Sequence, residues 1–185
     1  MPLSQAQVRF GVLQLALVAT VATGLWLAYP GWRLGLVTER IRRSYPDVPG
    51  ITSGDLASWL ASPKREVKPV ILDARSEEEF AVSHLLEAHH VTPDGELDPE
   101  QIPDDHGRAI VVYCSTGERS AAFARRLQHA GYSGVMLLEG SIVRWANEGR
   151  PLTNGRELVT RVHPSDSQTS RLLKDAHRAA TPAAP

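Results

Sequence analysis

Cys114 is the only cysteine in the chain and stands in the run VVYCSTGERSAAFARRL, at the end of an apolar segment and the mouth of a helix-like one. A thiol so placed can serve as a nucleophile. The residues after it, Ser115, Thr116, Gly117, Glu118 and Arg119, are small or polar and include a glycine. Such a stretch can turn tightly with successive backbone N–H groups facing inward. The helix that follows points the partial positive charge of its N-terminus at the same spot, and Arg119 adds a full one. This setting favours an anion on sulfur, and the thiolate is the reactive form. The plainer reading is a packed strand-end cysteine, since cysteine is often buried. A packed thiol, however, has no use for a glycine-bearing anion cradle. One cysteine also excludes an intrachain disulfide and a cysteine-based zinc site.

The elements that must position this thiol can be read from periodicity and punctuation. VILDAR is a short β-branched run that predicts a buried strand over Val70 to Leu72 and ends in Asp73 and Arg75. SEEEF predicts a helix opened by a capping box, with Ser76 as N-cap and Glu79 at N3. AIVVYC is the clearest buried strand. ERSAAFARRLQHAGY predicts a helix that stops at Gly131. VMLLEG reads as a strand, SIVRWANEG as a short helix closed by Gly149, EAHHV as a weak strand, and ITSGDLASWLAS as a capped helix. TPDGELDPEQIPDDHG is loop. Strands alternating with short helices imply an α/β fold with a mostly parallel sheet covered on both faces. In such a sheet ligands collect beyond the carboxyl ends of the strands, where Cys114 lies.

Taken in order, VILDAR, SEEEFAVSHLLEAHHV, VVYCSTGERSAAFARRLQHAGY and VMLLEGSIVRW resemble the successive motifs of the rhodanese-like domains, over about residues 50–152. The resemblance implies a five-stranded mostly parallel sheet flanked by helices and transfer of sulfane sulfur through a cysteine persulfide. It implies that Cys114 is the nucleophile, that Arg119 is the loop arginine acting with it, and that Ser115, Thr116, Gly117 and Glu118 form the substrate-binding loop. It further implies that Asp73, Arg75 and Glu79 are a charged support under that loop and that His84 is structural. The partners implied are a small sulfur donor, such as thiosulfate or a persulfide, and a thiol or cyanide-like acceptor, with no cofactor.

The chain departs from the family pattern at Ser83, Glu87 and Ser141, which stand where glycines are usual and are expected to alter local turns. Glu118 places a carboxylate at the rim, which opposes thiosulfate as a donor. Cysteine-dependent phosphatases and arsenate reductases resemble C-x5-R, whereas Cys114 and Arg119 give C-x4-R, a tighter ring better suited to sulfur than to phosphate. A non-catalytic binding module is the other alternative. His84, His89 and His90 do not have a recognised metal-ligand spacing, and no metal is expected.

The flanks carry separate expectations. With 20 basic and 21 acidic residues the formal net charge is −1, which gives no argument for nucleic acid. After the flank 1–9, residues 10–29 carry no charge and are about long enough to cross a bilayer, with Trp26, Tyr29 and Trp32 near the far end. They predict a single transmembrane helix tethering the protein to the membrane, with a cleaved signal peptide ending before Thr23 as the alternative. The arginines that follow, Arg33, Arg40, Arg42 and Arg43, place the C-terminal part in the cytoplasm. Residues 30–49 read as a linker, and 153–185 as a partly disordered tail with at most one short helix around Arg171 to Arg178.

Overall fold

The computed structural model describes residues 14–24, 30–63, 67–95 and 101–179. Strands β1 (Gly50–Ile51), β2 (Val70–Asp73), β4 (Ala88–His90), β5 (Ile110–Tyr113) and β6 (Val135–Leu138) form a five-stranded sheet in the order β1-β6-β5-β2-β4, and every pairing in it is parallel. The α/β reading and the parallel sheet therefore hold.

Successive side chains of a strand point to opposite faces, and the core divides accordingly. Val111 and Tyr113 of β5 join one apolar cluster, while Ile110 and Val112 join the other. Helices α3 (Ser53–Ala61) and α6 (Ser141–Asn147) cover the first face through Leu56, Ile142, Val143 and Trp145. Helix α5 (Glu118–His129) covers the second through Ala121, Phe123, Ala124 and Leu127. Both faces are shielded, which explains why β5 reads as a continuous apolar run rather than an alternating one. The short helix α4 (Glu77–Val82) has the predicted capping box, with Ser76 Oγ accepting from the Glu79 N–H and the Glu79 carboxylate accepting from the Ser76 N–H. Strands β3 (His84–Leu85), β7 (Leu152–Thr153) and β8 (Leu158–Val159) form a second, small antiparallel sheet.

The flanks differ from expectation. Within residues 10–29 the described part is a helix, α1, over 14–24, and its residues are exposed. No helix among the described residues is long and apolar enough to cross a membrane. That finding overturns the single-pass anchor, the membrane partner and the cytoplasmic placement derived from them. Residues 10–13 and 25–29 lie outside the described residues.

Residues 30–49 hold a helix, α2 (Pro30–Ser44), whose Leu34 and Ile41 are buried. The C-terminal segment is also partly built into the fold. Helix α7 (Ser167–Leu172), capped by Asp166, packs against α2, and Val162, Leu172 and Leu173 join the first apolar cluster.

Candidate active site

Cys114 follows β5 directly and is only 2% exposed. Its Sγ accepts a hydrogen bond from the Gly117 N–H at 3.1 Å. Gly117 is the N-cap of α5 and has φ of 127°, a conformation that side-chain-bearing residues rarely adopt. The glycine thus lets the chain reverse within three residues of the thiol and turn its N–H back to the sulfur. No side chain caps this helix N-terminus, so the partial positive charge of a helix 12 residues long faces the sulfur without a competing carboxylate cap.

The loop is fixed from the neighbouring strand end as well. The Cys114 N–H donates to Ser141 Oγ at 3.3 Å, and Ser141 Oγ in turn donates to the Leu138 carbonyl. The N–H groups of Ile142 and Val143 donate to the carbonyls of Cys114 and Ser115. Ser141 has φ of 51°, left-handed for a residue with a side chain, which costs about 1 kcal/mol or more. The site retains that strain because the hydroxyl ties the thiol's own backbone to β6.

On the other side stands Glu79, almost fully buried. Arg119 donates to it from both terminal nitrogens, at 2.8 and 3.1 Å, and Ser115 Oγ donates to it at 2.8 Å. Arg119 also donates to Ser115 Oγ at 2.9 Å. Burial opposes ionisation of Glu79, but the Arg119 pair, the Ser76 N–H and the Ser115 hydroxyl outweigh it and hold the carboxyl below its ordinary value. For Arg119, burial likewise works against the charge, and Glu79 reverses the balance and raises its pKa. Arg119 and Glu79 therefore form a clamp on the loop, with the guanidinium turned to the carboxylate.

A carboxyl depressed on folding contributes stability above its unfolded pKa and loses it as pH falls through the lower folded value. Glu79→Gln is expected to cost about 1–2 kcal/mol near neutral pH, reduced from a fully buried pair because the Arg119 side chain is 36% exposed. The gap in melting temperature between the two proteins should close below about pH 4.5, the ordinary value for Glu. Thermal melts from pH 7 to pH 3 check this, and a gap independent of pH would show that the clamp is not ionic.

Asp73 and Arg75 form a second, separate pair, both side chains fully buried. Arg75 donates to Asp73 Oδ1 at 2.9 Å and Oδ2 at 2.7 Å, and to the Ser83 carbonyl. They brace the turn after β2 against β3 rather than touching the loop. Only Glu79 of the three expected supports meets Ser115 and Arg119. Thr116 is half-buried and Glu118 is exposed in the first turn of α5. His84 is buried, stacks on Phe80 with ring centroids 3.8 Å apart, and places Nδ1 2.9 Å from the Phe80 carbonyl.

Two contributors were not visible from motifs. Ser141 looked like a turn substitution, and only its spatial position shows that its hydroxyl meets the Cys114 N–H. Ile41 lay in the expected linker. A Cβ on Gly117 would come within 2.9 Å of Ile41 Cδ1, so α2 reaches the loop.

With this geometry in view, similarity to other proteins can be weighed. The rhodanese-like domain family matches residues 56–148. An uncharacterized protein of Synechocystis sp. is 33% identical over 82 residues, 44% of this chain and 45% of that protein, so the chain spans less than half of that relative's length. A protein named sulfurtransferase from Allochromatium vinosum is 32% identical over 87 residues, 45% of this chain and 77% of the relative. Among solved structures, a rhodanese-like domain from Anabaena sp. superposes with a TM-score of 0.50 at 25% identity, covering 57% of this chain and 78% of that one.

Proposed function

The chain belongs to the rhodanese-like domain family, and on that premise we propose that it is a sulfurtransferase working through a persulfide on Cys114. The observation that carries the reading is the thiol at the carboxyl end of the central strand with the Gly117 N–H on its sulfur and the start of α5 behind it. Such a setting stabilises charge on sulfur at the point where a thiolate must form and re-form.

The chemistry is two displacements at sulfur. The Cys114 thiolate attacks the outer sulfur of the donor. A new S–S bond forms, the donor's bond to that sulfur breaks, and the remainder leaves with the electron pair, as sulfite when the donor is thiosulfate. An acceptor thiolate or cyanide then attacks the terminal persulfide sulfur, and Cys114 leaves as thiolate. No external oxidant or reductant is consumed. Gly117 N–H, the start of α5 and the Ser141 tie hold the sulfur in place through both steps. Glu79, Arg119 and Ser115 act as positioning residues for the loop. A phosphatase reading is disfavoured because Arg119 turns its donors to Glu79 and Ser115, leaving them committed when a phosphate would need them.

Glu118 bears on the donor. Its exposed carboxylate stands in the first turn of α5 and repels a divalent anion approaching the loop, a screened, long-range effect. Thiosulfate:cyanide turnover is therefore expected to be weak, and Glu118→Lys to lower the apparent KM for thiosulfate by about three- to tenfold at low salt, less at high salt. A neutral or low-charge donor should respond much less. Steady-state kinetics at two ionic strengths check this. Failure to form thiocyanate from any sulfane donor would sink the sulfurtransferase reading itself. A lower melting temperature with unchanged kinetics would instead assign Glu118 to the helix terminus.

A further inference from the structure

Helix α2 lies outside the segment matched to the family, which begins at residue 56, yet it reaches the Cys114 loop. Leu34 belongs to the apolar cluster on one face of the sheet, and Ile41, two turns further on, to the cluster on the other. The helix therefore crosses from face to face over the carboxyl ends of the central strands, where open α/β sheets take their ligands. Ile41 meets the loop so closely that a Cβ on Gly117 would lie 2.9 Å from its Cδ1.

Polar ties hold this element down along its length. Arg144 Nη2 donates to Thr38 Oγ1 at 3.4 Å. At its C-terminal end Arg125 pairs with Asp47 at 2.8 Å, donates to the Ser44 carbonyl and lies 4.5 Å over the Tyr45 ring. Between helix and loop remains a cavity of about 30 Å3, lined by Thr38, Ile41 and Arg42 on one side and by Thr116, Gly117 and Gly140 on the other. That is room for about one or two waters, and Cys114, whose Sγ accepts from the N–H of the lining residue Gly117, is 2% exposed.

We propose that α2 roofs the Cys114 loop and that Ile41 is the specificity-determining residue that sets which sulfur carriers reach the thiol. Compact carriers and acceptors of a few atoms pass, whereas a branched or protein-borne thiol is excluded. The proposal rests on Cys114 being the sulfur-accepting group, but access to the only thiol in the chain can be measured without sulfur transfer. The full chain, and its Ile41→Ala and Ile41→Val variants, are treated with iodoacetamide and with a pyrenyl maleimide, and the alkylation rates are followed by intact mass.

Ile41→Ala is expected to raise the maleimide rate by at least about tenfold, as removal of a few methylenes does for discrimination by size, and the iodoacetamide rate by less than about threefold. Ile41→Val removes only the Cδ1 that approaches Gly117 and should give a smaller selective gain of the same sign. It decides the matter if the alanine variant does not fold. Equal acceleration of both reagents in the valine variant, or no acceleration of either, overturns the roof. A selective gain in a protein that takes up no sulfur from any donor would leave the roof standing and overturn the sulfur-transfer reading instead.

Discussion

Cys114→Ser should lose sulfur transfer by a factor on the order of 10³ or more, down to the uncatalysed background, while keeping its fold. The hydroxyl is close to the thiol in size and can accept the same hydrogen bond from the Gly117 N–H that Sγ accepts at 3.1 Å. The Ser141 Oγ tie to the residue 114 N–H and the Ile142 N–H bond to its carbonyl use only the backbone of residue 114 and are untouched. What the variant lacks is a nucleophile that can hold a sulfane sulfur and release it. Measurement of thiocyanate formation alongside thermal melting separates the two effects. Transfer at the wild-type rate by the serine variant would remove Cys114 from the chemistry. A collapse in melting temperature would show that the thiol is a packing residue whose loss of activity follows from unfolding.

Asp73→Ala is the substitution with the largest expected effect on stability. Asp73 and Arg75 are both fully buried, and two of the guanidinium nitrogens meet the carboxylate. Burial acts against charge on Arg75, and the neighbouring Asp73 overcomes it and raises its pKa. Removal of the carboxylate leaves a buried guanidinium with the Ser83 carbonyl as its remaining described acceptor. Breaking such a pair from one side costs about 3–5 kcal/mol, a large share of the about 5–15 kcal/mol that holds a domain folded. Urea denaturation should show a midpoint far below wild type, with Asp73→Asn in between because it keeps one acceptor. A loss under about 1 kcal/mol would mean that Arg75 finds water or another acceptor, and the pair would then be no keystone of the turn after β2.

The parts of this site that follow one another in sequence were legible without coordinates. The strand ending at Cys114, the glycine turn and the helix after it are local, and each announces itself by β-branched residues, by a small residue or by 3.6-residue spacing. The Ser76–Glu79 capping box is equally local, and its second use, as the carboxylate that clamps Arg119, depends on a contact 40 residues away. Pairings of that kind carry no sequence signal in a single chain. Arg75 illustrates this: its position after Asp73 suggested support for the loop, yet its guanidinium folds back to the Ser83 carbonyl.

Helix α2 was missed for a different reason. Gly31 and Gly35 weaken its helical propensity, and the proline-rich end at 46–49 resembles a linker, so its stability comes from burying Leu34 and Ile41. The anchor reading rested on a charge-free composition over 10–29 alone, and no helix among the described residues is long and apolar enough to cross a membrane.

The central claim is that Cys114 carries a sulfane sulfur. Its most direct test is intact-mass and peptide-level mass spectrometry of the full chain after brief exposure to thiosulfate and to a low-molecular-weight persulfide, without reductant. The account predicts one added sulfur, localised to Cys114, lost on addition of cyanide and absent in Cys114→Ser. An unmodified Cys114 after every donor, or a sulfur that cyanide cannot remove, would contradict it.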